Sequence, residues 1–274
     1  MSTPADERAA VQAREHAGNL AEMTVNAVTS ARASLESAAE LTDQVDRRLR
    51  WAEDDIASVA GMANRVRDAE NTEDAEAILR NARYAADEIR ESLRRGQGGV
   101  AEVREHLEQG ARSLAAGRQF MDELDSMPGQ RSEVNDQLRT RLVALSRAVD
   151  DAMEGTDRTN QRLAAARENL EPLLNVPGAI EDQDRTARVV QEAGTEAEYA
   201  VGTARRGLGE LREGFENTSP DARRIAHDSD ELATAIRAGT NPTQPSEQTK
   251  AGATAEDPRR AWSEGRDPSK TLDL

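Results

Sequence analysis

Cysteine is absent from all 274 residues, which removes disulfides, thiol nucleophiles and thiolate metal ligands together. Aromatic residues make up only 2% of the chain, and the hydrophobic 36% leans on alanine, so a thick globular core could not be filled. Lysine occurs only at Lys250 and Lys270, leaving arginine to carry nearly all positive charge, a bias that a GC-rich coding sequence produces by itself. No apolar run reaches the length of a signal-peptide core or a membrane span, and Met1 to Glu7 carry no basic flank; a cytoplasmic location is the default expectation. The net charge of −16 and the lack of a basic stripe exclude a phosphate-binding, nucleic-acid role.

What the chain does have is a repeat of uncharged residues spaced alternately three and four apart. One seam runs from Ala17 through Val28, Leu35, Thr42, Leu49 and Ile56 to Val66, and a second from Ala75 through Ile89, Leu93, Gly96 and Val103 to Leu124. A third runs from Leu138 to Leu173 and a fourth from Ala187 to Ile236. None of these positions carries Asp, Glu, Lys or Arg in a chain that is 32% charged, so the seams are expected to be buried. The fold predicted is all-α: an elongated antiparallel helical bundle or coiled coil spanning 5–239, with four long helices and a short fifth. Expected helices cover about 5–69, 73–125, 132–174, 180–218 and 220–238. Asn71 and Ser132 are the expected caps, and Asn175-Val176-Pro177-Gly178 stops the third helix.

Two places threaten helix continuity. Gly96-Gln97-Gly98-Gly99 resembles a turn, but the seam keeps its phase from Leu93 to Val100, so a weakened or kinked helix is expected. Ser219-Pro220 reads as a cap followed by a first-turn proline, which favours a hinge and a separate fifth helix. Folding the helices antiparallel places Thr42, Thr156, Thr159, Gly194 and the Gly96, Gly98 and Gly99 segment near one cross-section, a candidate hinge or polar layer. A shorter third helix would leave part of the first hairpin uncovered, which would suit a homo-oligomer.

Catalytic patterns are missing. A di-iron bundle needs Glu-x-x-His, but Ala13, Val103 and Arg224 stand three residues before His16, His106 and His227. The glycine cluster lacks the lysine and the preceding strand of a phosphate loop. No enzyme, cofactor or metal site is expected, and His16 and His227, which fall toward one end, should be exposed. Acids one turn before arginines, as in Asp46/Arg50, Glu76/Arg80, Glu91/Arg95, Glu108/Arg112 and Glu154/Arg158, describe solvated faces, each pair contributing about 0.2–0.5 kcal/mol.

After Gly239 the periodicity stops, and 240–274 are expected to be a disordered tail. Within it, Arg259, Arg260, Trp262 and Arg266 form a candidate docking motif for a protein partner, since Trp and Arg are the commonest anchors. Trp51, next to seam position Ala52, is expected to cover a groove edge or to anchor a partner. Tyr84-Ala85-Ala86-Asp87-Glu88 resembles the Tyr-x-x-x-Asp/Glu export signal of helical-hairpin substrates of type VII secretion, although the Trp-x-Gly turn that accompanies it there is missing, Trp51 being followed by Ala52 and Glu53. The function expected is a noncatalytic coiled-coil scaffold with protein partners. An exported or phage-like helical assembly factor is one alternative and an amphipathic lipid-surface binder another, the latter weakened by Ala-rich faces with no net positive charge.

Overall fold

A computed structural model describes residues 4–239, Arg131 excepted, with side chains from Glu7 onward. The chain forms four long helices and one short one: α1 (Pro4–Arg67), α2 (Thr72–Ser126), α3 (Glu133–Asn169), α4 (Glu171–Leu174) and α5 (Gln183–Ala238). With 64 residues, α1 extends about 96 Å at 1.5 Å per residue. Helix starts are fixed by local chemistry. The Asn71 side chain accepts from the Asp74 N–H at 2.9 Å, Ser132 Oγ accepts from the Asn135 N–H at 3.2 Å, and Asp182 accepts from the Arg185 N–H at 3.0 Å. Gly239 ends α5 in the left-handed region at φ +68°, its N–H bonded to the Ile236 carbonyl.

The long helices form a closed ring in which α1 packs on α2 and α5, and α3 packs on the same two from the far side. Every seam position is buried except Ala152 and Thr218, which are partly covered. The uncharged repeat therefore lies along the ring's axis, and the charged residues that alternate with it face outward or flank the contacts. Register comes from close packing. A Cβ on Gly194 would lie 2.8 Å from the Ala60 Cβ and 2.9 Å from its Cα, so α1 and α5 approach as only glycine permits. Gly96 and Gly99 do the same for α1 and α2, against Leu49 and Val45.

Two expectations are corrected, and helix continuity through the glycine cluster is kept. The fourth long helix does not divide at Ser219-Pro220; α5 is one helix through Pro220. Pro220 lies on the exposed side, where water can satisfy the Glu216 carbonyl that it leaves without a donor. The glycine cluster is α-helical throughout, because Gly96 and Gly99 are enclosed by neighbouring side chains while Gly98 faces open space. The third helix ends at Asn169, and α5 begins at Gln183, later than the expected start near 180.

That early end alters the bundle's composition along its length. Leu163 on α3 shares Gly96 with Leu49, which puts the end of α3 level with about Asp55 on α1. Beyond it, α4 and the segment to Asp182 take the place of a fourth helix. Leu170 and Leu173 are fully buried, and Leu174, Val176 and Ile180 pack on the core. The Ile180 N–H donates to Glu76 Oε1 at 3.3 Å, and Gln183 donates to the Asn71 carbonyl at 3.4 Å. Leu79, Ala82, Ala86 and Ile89 on α2 are thus covered within the chain, contrary to the expected uncovered hairpin.

Candidate functional site

Most buried hydroxyls inside the ring are consumed by their own helices. Thr42 Oγ1 donates to the Ala38 carbonyl at 2.8 Å, Thr156 to Met153 at 2.6 Å and Thr159 to Gly155 at 2.9 Å; Thr24, Ser146 and Ser229 do the same. Thr42, Thr156, Thr159 and the Gly96–Gly99 segment do gather near one level. Gly194 does not belong with them. Its neighbour Ala60 lies eleven residues beyond Leu49, about 16 Å along the axis, and Gly207, against Thr159, is the glycine that α5 contributes to this layer. The displacement follows from the strap of 170–182, which shifts the α3/α5 register relative to a symmetric turn.

Several ion pairs cross between helices, among them Arg104 to Asp157 and Arg141 to Asp228, and two sites join more than two charged or polar groups. Arg205 on α5 reaches Asp46 at 2.9 Å and also Glu53, both on α1. Burial works against its charge, but the hydrogen bonds that it donates to Asp46 and Glu53 outweigh it and raise the guanidinium above its ordinary value. At the α2/α3 turn, fully buried Asn135 donates to Asp125 Oδ1 and to the Gln130 carbonyl, each at 2.8 Å, and Arg139 closes on the same carboxylate. Neither network offers a free acid, base or ligand to a substrate. Of the expected surface pairs, Asp46/Arg50, Glu91/Arg95 and Glu154/Arg158 form, whereas Glu76 turns to Ile180 and Glu108 to Arg104.

The histidines are not brought together. His16 is exposed, His106 is half-buried on α2, and His227 pairs with Glu231 at 3.3 Å. Among the described residues, no group of three or more His, Cys, Asp and Glu could hold a metal ion. The docking candidates Arg259, Arg260, Trp262 and Arg266, and the expected disordered tail, lie outside the described residues.

Exposed aromatics gather along one stretch of the bundle. Trp51, Tyr84 and Tyr199 are 73%, 68% and 72% exposed. Trp51 therefore covers no groove edge. Counting along the helices from the Gly96/Leu49 and Gly194/Ala60 contacts sets Tyr84 level with Gly61 and Tyr199 level with Asp55. All three fall within about 15 Å, where α3 gives out. Tyr84 bonds to Glu88 one turn on, which holds its phenol above the ordinary value.

At this level a furrow of about 620 Å³ opens between α3 and α5. Ala165, Ala200 and the Tyr199 ring make its apolar wall, and Arg162, Asn169 and Glu196 its rim. Arg162 Nη1 is tied to the Thr203 carbonyl at 3.0 Å. Sequence reasoning missed this feature because it depends on where α3 stops. The one available signal was Tyr199, an aromatic on the outer side of a seam between Ala197 and Val201.

No family model and no curated protein matches the chain. Among solved structures, the SmhB pore of the tripartite alpha-pore forming toxin Smh from Serratia marcescens aligns with a TM-score of 0.27 at 10% identity, over 83% of this chain and 80% of that chain. A likeness at that level carries no argument about function; long antiparallel helices of similar length suffice to produce it. No helix among the described residues is long and apolar enough to cross a membrane.

Proposed function

We propose that the chain is a noncatalytic helical interaction protein, a cytoplasmic scaffold or spacer that meets protein partners along its length. One observation carries this reading: the hydrophobic core is closed, whereas the three large aromatics exposed among the described residues project from three different helices within about 15 Å along the axis. Aromatic side chains left in water on a surface otherwise dense in charge are the residue types that anchor protein contacts. The segment with Arg259, Arg260, Trp262 and Arg266 supplies a second recognition element by its composition. Affinity purification of the full chain tests the reading, alongside a Trp51→Ala/Tyr84→Ala/Tyr199→Ala variant and a chain lacking 250–274. A stoichiometric protein partner lost in either variant supports it; recovery of none with the wild-type chain refutes it.

Export as a helical assembly factor is a second reading, favoured by the exposed Tyr84 and Glu88 pair on α2. Accumulation in culture supernatant that Tyr84→Ala abolishes would support it. The lipid-surface alternative is the weakest, since the apolar faces are buried against one another, and flotation with anionic vesicles tests it.

A further inference from the structure

We propose that the furrow between α3 and α5 is the docking site for a basic, apolar-anchored helical segment of a partner protein. This rests on the reading of the chain as an interaction protein and names the surface and the partner chemistry. The furrow supplies a carbon-lined seat, with Ala165, Ala200 and Tyr199 in its lining. Heptad spacing carries the same face along the bundle: Asp151 lies two heptads before Ala165 on α3, and Glu210 one heptad after Thr203 on α5. Glu154 and Glu213 stand beside them on the exposed side.

Charge on this face is unequally engaged. Arg158 is paired with Glu154, and Arg162 and Arg206 are held by hydrogen bonds to the Thr203 carbonyl and hydroxyl but keep their charge, so the carboxylates of Asp151, Glu154, Glu196, Glu210 and Glu213 outnumber the guanidiniums of this face five to three. Asp151, Glu196, Glu210 and Glu213 have no ion-pair partner among the described residues. Tyr199 and Glu210 are eleven residues apart on one helix, about 16 Å, which is three helical turns of a docked segment. A partner helix seating leucine-like side chains in the furrow would therefore place arginine or lysine three turns on, against free carboxylates. A second copy of this chain, with net charge −16, is a poor occupant of that acidic run.

The probe is a fluorescein-labelled amphipathic 18-residue Leu/Lys helix of about five turns, compared with Leu/Glu and Ser/Lys peptides of the same pattern, titrated into the full-length protein. The expected result is binding of the Leu/Lys peptide alone, weakened at least about tenfold by Ala200→Arg, which fills the furrow, and by Asp151→Asn/Glu210→Gln/Glu213→Gln. Tyr199→Ala, on an exposed side chain, gives the same direction without burdening the fold. A triple variant on another face, Glu36→Gln/Glu40→Gln/Asp43→Asn, should change affinity less than about twofold. Equal weakening by the α1 triple, or none by both Ala200→Arg and Tyr199→Ala, overturns the proposal, as does a dimer dissolved by Ala200→Arg, which would seat a second copy there. Partner capture that survives Ala200→Arg would remove the furrow while leaving the interaction reading intact.

Discussion

Replacing Gly194 with alanine should destabilise the bundle, against the helix propensity of the substitution. The new methyl would stand 2.8 Å from the Ala60 Cβ, 2.9 Å from its Cα and 3.1 Å from its N. Two of those three atoms are α1 backbone, so no side-chain rotation relieves the clash, and the helices must separate locally. Overpacking of this kind costs about 1–3 kcal/mol. Alanine returns about 0.5–1 kcal/mol by restricting the unfolded chain and favouring helix, leaving a net loss of about 1 kcal/mol. Gly98→Ala is the matched control, because nothing lies within 4 Å of a Cβ there and only the gain applies. The two variants should therefore differ by about 2 kcal/mol, or about 4–8 °C in Tm for a domain of this size. Thermal melts followed by circular dichroism decide it. A Gly194→Ala protein melting at or above the wild type would refute the packing argument, and Ala60→Gly should rescue only partly, since it leaves the α1 backbone as close to the new methyl as before.

Pro220→Ala should stabilise α5 by about 1–3 kcal/mol, because it restores a donor to the Glu216 carbonyl in a helix that is already continuous; an unchanged denaturant midpoint would argue for a hinge after all. Asp125→Ala should cost about 2 kcal/mol, since Asn135 and Arg139 lose the carboxylate that they share at the α2/α3 turn, and urea unfolding measures it. Glu91, hydrogen-bonded by Arg94 and Arg95, has its carboxyl lowered from 4.5 to about 2. Its contribution is therefore present above the ordinary carboxylate value and is lost as pH falls through about 2. Side-chain NMR titration should show that low midpoint, and Arg94→Ala/Arg95→Ala should return it to the usual range.

Much of the architecture was legible in residue spacing. An uncharged repeat in a chain that is 32% charged has to be buried against other helices, and Asn71 and Ser132 announced two helix starts through short side chains that bond the first turn. The same repeat carried the helix correctly through Gly96–Gly99. It could not decide Pro220, because a proline's effect depends on whether its side of the helix meets water or a neighbour. The candidate layer shows the same boundary: Thr42, Thr156 and Thr159 are brought together, while Gly194 is not, since an error in one turn displaces every residue on the following helix.

By itself the sequence determined the helices, their buried faces and the lack of disulfide chemistry, because these follow from periodicity and composition acting over a few residues. Tertiary structure alone decided where α3 stops relative to its neighbours, which leucines of the strap fill the space beyond it, and hence where a furrow opens beside Tyr199. That follows from axial register, which is set by contacts such as Gly194 on Ala60 between residues far apart in the chain, and no local pattern encodes those distances.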